Sequence, residues 1–92
     1  MEVLRFTASW CQPCKALAKQ IDELGLSEGV TVVDIDEKPE MAQQFGVRGV
    51  PTLVVIENGK ELKRMVGIKP KDVLLEWFPK TNDNNNIVES NN

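Results

Sequence analysis

The residues best suited to chemistry in this chain are Cys11 and Cys14, set in the run Trp10-Cys11-Gln12-Pro13-Cys14-Lys15. A β-prone stretch, Glu2 to Thr7, precedes them, and a helical pattern begins at the first cysteine. A Cys-x-x-Cys between a strand and a helix puts both sulfurs in the first helical turn, close enough to join as a disulfide. The unpaired amides of that turn and the positive end of the helix dipole favour a thiolate at the first cysteine. Cys11 lies nearer the helix end, so it is expected to be the more exposed sulfur and the attacking nucleophile. Cys14, one turn further in, is then the resolving thiol.

Other uses of two cysteines must be weighed. A lone Cys-x-x-Cys can be half of a zinc site, but this chain holds no histidine and no third cysteine to complete four ligands. Two chains sharing a metal or an iron–sulfur cluster through four thiolates, or two inert core cysteines, are the remaining alternatives. Pro13, Trp10 and Lys15 around the pair favour a dithiol redox site, with no metal and no cofactor expected.

Composition narrows the field further. The chain has 92 residues, enough for one small domain, and carries 14 acidic against 11 basic side chains for a net charge of -3. That balance argues against a nucleic-acid or anionic-membrane partner. The absence of histidine removes histidine-based proton relays. No apolar run reaches the roughly 18 residues needed to span a bilayer. No signal peptide is evident, and a cytoplasmic monomer is expected.

The elements that must position the thiols follow from periodicity. Leu17, Ile21 and Leu24 form one face of the first helix, with Lys15, Lys19, Asp22 and Glu23 opposite and Gly25 as its stop. Val30 to Asp34 reads as a second strand, buried on both faces and parallel to the first. Pro39 opens a short helix with Met41 and Phe45 on its apolar side, ended by Gly46. Leu53 to Glu57 is a third strand, and Asn58-Gly59 turns it back through Lys60 to Val66. Pro70 opens a last helix with Val73, Leu74, Trp77 and Phe78 on one side. The result is an α/β domain over residues 1–80, in the order βαβ-α-ββα, with helices on both faces of one small sheet. Residues 81–92 hold six asparagines and are expected to be a disordered tail.

With these residues in place, the chain resembles the thioredoxin family over about residues 2 to 78. Trp10-Cys11-x-Pro13-Cys14-Lys15 is similar to the family's WCGPCK, with Gln12 in place of glycine. Asp34-Ile35-Asp36 followed by Pro39 resembles a strand end and turn of the family. Phe45 to Thr52 is similar to its G-[IV]-R-x-[IV]-P-T stretch, and Asn58-Gly59 and Gly67 match a hairpin and a glycine near its substrate groove. From composition alone, Pro51 needs no more explanation than a proline at the start of a strand. The resemblance implies instead a cis bond before Pro51, lying against the two sulfurs and turning the Val50 backbone toward a bound segment. It further implies a minimal thioredoxin fold with a mixed four-stranded sheet, and a flat apolar groove around Cys11 formed by Trp10, Val50, Pro51 and Gly67, with Gln12 and Pro13 beside it.

Three departures from the family pattern carry consequences. The extra N-terminal strand and helix of longer members have no counterpart before Glu2. Arg5 stands six residues before Cys11, where the family places a buried aspartate thought to shuttle a proton for the resolving thiol. Val32 stands where a partner lysine is common. A guanidinium cannot act as a base near neutral pH, but it can stabilise a Cys14 thiolate. Arg5 and Lys15 are therefore expected to tune thiol acidity, with Arg5 reaching either a carboxylate, Asp34 or Glu57 on a neighbouring strand, or the solvent edge.

The resemblance implies a protein-disulfide reductase that attacks disulfide-containing protein substrates and is recycled by a thioredoxin reductase or an equivalent reductant. Two alternatives differ in class. One is a glutaredoxin-like, glutathione-dependent oxidoreductase, which the small size favours and the Pro51 motif opposes. The other is a binding subunit that docks a larger complex through the apolar rim of the site.

Overall fold

The computed structural model describes residues Met1–Pro79; the asparagine-rich segment, expected to be disordered, lies outside the described residues. The chain order is β1 (Glu2–Thr7), α1 (Gln12–Glu23), β2 (Val30–Asp34), α2 (Pro39–Gln44), β3 (Thr52–Glu57), β4 (Lys60–Val66) and α3 (Lys71–Trp77). The four strands form one mixed sheet in the order β2-β1-β3-β4. β1 runs parallel to β2 and antiparallel to β3, and β3 pairs antiparallel with β4. Among the described residues no helix is long and apolar enough to cross a membrane.

Alternation along β1 divides the core in two. Val3 faces one side, with Leu53, Val55 and Met65 of the neighbouring strands, and is covered by Leu17 and Ile21 of α1 and by Leu74 and Phe78 at α3. Leu4 and Phe6 face the other, with Val33, Val54 and Ile56, and are covered by Met41 and Phe45 of α2. Phe6 meets Phe45 edge-on, ring centroids 6.0 Å apart, a favoured aromatic geometry. β3 is central and buried on both faces from Thr52 to Ile56 because helices cover both sides.

Turns fall where glycine permits them. Asn58 and Gly59 both take positive φ (53° and 77°), as a two-residue hairpin turn requires. Gly25, at φ 71°, follows the last residue of α1's cap, and its N–H is satisfied by the Asp22 carbonyl.

Two elements differ from the sequence expectation. β2 is parallel to β1 as expected, but it is not buried on both faces: Thr31 is exposed and Val32 is 52% exposed. β2 is an edge strand, so a β-branched run here satisfies strand propensity without being enclosed. In α3, Leu74 and Phe78 reach the core, whereas Val73 is 42% exposed. The helix ends at Trp77 and Phe78 is already extended, which narrows its buried stripe.

Leu17→Ala should lower stability by about 2–5 kcal/mol, because the side chain is fully enclosed and leaves a cavity. Val73→Ala should change it by no more than about 0.5 kcal/mol. Urea unfolding of both variants, compared at equal m-value, checks the assignment of faces.

Candidate active site

The strand-to-helix step builds the site. β1 ends at Thr7, and Cys11 becomes the N-cap of α1 in an extended conformation (φ -96°, ψ 108°). The Cys14 backbone N–H donates to Cys11 Sγ at 3.1 Å. The sulfur thus takes a place usually held by a serine or aspartate oxygen, and satisfies one of the helix's orphan amides. Pro13 sits in the first turn, where a missing N–H costs nothing. The same donor and the helix dipole are positioned to stabilise negative charge on that sulfur in the reduced protein.

Cys11 and Cys14 are joined as a disulfide, with Cα atoms 5.3 Å apart. Cys11 is 4% exposed and Cys14 0%. Cys11 is the more accessible of the two, as expected, but the margin is small. Ala8 is buried with the two cysteines, and Ile35 and Val50 pack over them. The contact with Val50 is close: Cys11 Sγ lies 3.8 Å from its carbonyl oxygen. In the disulfide that sulfur carries no proton; in the dithiol its S–H faces a ready acceptor.

The loop that presents Val50 is tied down at several points. The Val50–Pro51 bond is cis and Pro51 is buried. Gly67 N–H donates to the Pro51 carbonyl at 2.9 Å, at a φ of 85° that suits glycine. The buried Thr52 hydroxyl donates to the Gly49 carbonyl at 2.7 Å, so its burial leaves no unpaired polar atom. Val50, distant in sequence from the thiols, is thereby held against Cys11 by a loop to which Pro51 and Gly67 are tied.

Trp10 flanks the pair from the surface rather than from the core. It is 65% exposed, and its indole Nε1–H donates to Asp36 Oδ2 at 2.8 Å. Asp36 was not singled out from sequence as a site residue. It follows the end of β2, and the Asp34 carboxylate holds it by accepting its N–H at 2.8 Å. The signal available was the pair of aspartates at the end of a strand parallel to β1, which that register brings level with the cysteine loop. Gln12 and Pro13 are exposed on the first turn.

Arg5 lies on the α1 face of β1, two residues from Val3 and two from Thr7. It opens onto a cavity of about 200 Å³ shared with Cys14, Lys15 and Asp34. Burial lowers its pKa from the ordinary guanidinium value, and it stays charged at neutral pH. The expected carboxylate partners do not engage it. Among the described residues the ion pairs are Arg64–Glu61 and Lys71–Glu23. Arg5 sits opposite Leu53 on β3, whereas Glu57 lies at the far end of that strand opposite Lys60. A half-buried guanidinium at the rim of a cavity can keep its hydration, which removes the need for a buried partner.

A disulfide-forming cysteine pair at the head of α1, just after the central strand β1 of a mixed βαβ-α-ββα sheet, defines a dithiol–disulfide redox carrier. The Thioredoxin family model matches residues 1–80. A thioredoxin from Chlamydia muridarum is 44% identical over 78 residues, covering 82% of this chain and 76% of the relative. One from Bacillus subtilis is 40% identical over 79 residues, with the same two coverages, 82% and 76%. Among solved structures, a thioredoxin from Malassezia sympodialis superposes with a TM-score of 0.69 at 32% identity, over 80% of this chain and 69% of that one. A mutant thioredoxin from Halobacterium salinarum gives 0.67 at 34% identity, over 80% and 67%. The chain belongs to the thioredoxin family.

The N-cap role of Cys11 makes a prediction for the reduced protein. Cys11→Ser keeps an acceptor for the Cys14 N–H, and Cys11→Ala does not. The alanine variant should be less stable than the serine variant by about 0.5–2 kcal/mol, read from urea midpoints under reducing conditions.

Proposed function

We propose that the chain works in the reducing direction, as a cytoplasmic, monomeric electron carrier that reduces disulfides in proteins. The observation that carries this reading is the Cys11–Cys14 pair itself, with one sulfur capping α1 beside the Val50 carbonyl and the other enclosed behind it.

The exchange runs in two displacements. The Cys11 thiolate attacks a sulfur of the substrate disulfide; a Cys11–substrate bond forms, and the other substrate sulfur leaves as a thiolate and takes a proton. Cys14 then attacks Cys11 Sγ, the Cys11–Cys14 bond forms, and the second substrate thiol is released. Two electrons pass to the substrate, and a reductase such as thioredoxin reductase restores the dithiol. The burial order of the two cysteines supports these roles, because Cys11 keeps a little exposure, 4%, and Cys14 none.

Substrate recognition is proposed to be strand-like. An extended segment would lie along Val50 and pair with its backbone, between the exposed face of Trp10 and the Pro51–Gly67 contact, with Gln12 and Pro13 at one rim. Such a surface selects for an accessible disulfide in an extended chain rather than for a small molecule. This, with the similarity to thioredoxins, favours protein disulfides over glutathione mixed disulfides. Arg5 and Lys15, on the cavity side of Cys14, are proposed to favour its thiolate by charge.

Reduction of insulin by the protein with dithiothreitol or a thioredoxin reductase should be lost in Cys11→Ser. Cys14→Ser should accumulate a mixed disulfide, detectable by mass spectrometry as a covalent adduct on Cys11. Turnover confined to glutathione-dependent reduction of a small mixed disulfide would overturn the proposed substrate class. Arg5→Asp should displace the pH profile of disulfide reduction from that of the wild type; superimposable profiles would remove Arg5 from any role in thiol acidity.

A further inference from the structure

The second displacement raises a problem that the residues named so far do not solve. Cys14 must lose its proton before it can attack, because the thiolate is the nucleophile. Cys14 is 0% exposed and lines the cavity of about 200 Å³, which gives that proton a route out. The charged or titratable side chains facing that cavity come from three elements: Arg5 of β1, Lys15 of α1 and Asp34 of β2. The Val50–Pro51 loop brings none, and Asp36 is engaged by the Trp10 indole. A guanidinium and an ammonium have no lone pair to receive a proton. Asp34 does.

The sheet register aims Asp34 at the cavity. It lies opposite Thr7 in the parallel β1–β2 ladder, two residues on from Val32, which lies opposite Arg5. Arg5, Thr7, Val32 and Asp34 therefore share the face that α1 covers. Asp34 Oδ1 accepts the Asp36 N–H, and the second carboxylate oxygen is left to accept from elsewhere. A cavity of about 200 Å³ has room for bridging water between a carboxylate and a thiol.

We propose that Asp34 is the proton acceptor for Cys14 in the resolving step, acting through water in this cavity, while Arg5 and Lys15 stabilise the thiolate that results. The proposal rests on the thiol–disulfide exchange described above. The Cys14 S–H bond breaks and its proton passes by way of water to the Asp34 carboxylate. The Cys14 sulfur forms its bond to Cys11 Sγ, the Cys11–substrate bond breaks, and the departing substrate thiolate is protonated as Asp34 returns its proton to solvent. No external oxidant or reductant enters.

The test is a single turnover of reduced protein with bis(nitrobenzoate) disulfide, which releases one coloured thiolate when Cys11 attacks and a second when Cys14 resolves. Asp34→Asn is the informative variant, since its amide oxygen can still accept the Asp36 N–H and hold the turn. The first release should stay within about 2-fold of wild type, because the donors around Cys11 are untouched. The second should slow by at least about 10-fold at neutral pH and recover as hydroxide takes over at alkaline pH, the behaviour of a lost general base. Asp34→Glu should restore most of the rate. A second release with the wild-type rate and pH profile would overturn the proposal. Should Asp34→Asn fail to fold, the wild type decides: a slower second release in deuterium oxide, with the first unaffected, supports proton transfer in that step, and no isotope effect overturns it. Absence of both releases from the wild-type protein would overturn the exchange reading itself, and the proposal with it.

Discussion

The structure depends on a sulfur doing the work of a helix cap. Cys11 leaves the strand-to-helix loop in an extended conformation and receives the Cys14 amide on its side chain. That contact caps α1 and places the Cys11 sulfur against an amide of the helix's first turn. An oxygen cap would start the helix equally well, but it could not exchange electrons. A cysteine elsewhere on the helix could form a disulfide, but without the donors that favour its thiolate. The position joins a folding requirement to a redox one.

Around this cap the sheet supplies two different environments. On one side Ile35 and Val50 pack against Ala8 and the two cysteines. They exclude water from the sulfurs and leave a carbonyl close to Cys11. On the other side lies a cavity that carries charge. In the proposed exchange the substrate approaches on the first side, and a proton departs on the second. Separation of the two routes follows from the parallel β1–β2 pair, which ends at Thr7 and Asp34 and lines the cavity beneath α1 with Arg5, Thr7 and Asp34.

The charged floor also bears on the edge of the fold. A family position usually given to a buried acid holds Arg5, and Val32 beside it is open to solvent because β2 is the last strand of the sheet among the described residues. An arginine is tolerated at this depth because an open edge lets its head stay hydrated. The same openness explains why Val32 was misread as buried. Its residue type and its neighbours are those of a central strand, and strand order is a property of long-range pairing that a local pattern does not contain. Val73 was misread for a related reason: helical periodicity identifies a stripe, but where the helix ends and which neighbour it meets decide how wide the buried part of that stripe is.

The sequence by itself determined the elements and the chemistry. The βαβ-α-ββα order, the Asn58-Gly59 hairpin, the glycine stops and the two thiols were all legible, because each follows from residues within a few positions of one another. The cis bond before Pro51 was legible only through family resemblance, since nothing near it in the chain requires it. Tertiary structure alone decided which strand is at the edge, that Glu57 stands too far from Arg5 to pair with it, that Asp36 holds Trp10, and that Asp34 shares a cavity with Cys14. These are matters of register and packing between segments about 20 or more residues apart, and a chain's local preferences do not fix distances of that kind until the whole core has closed around them.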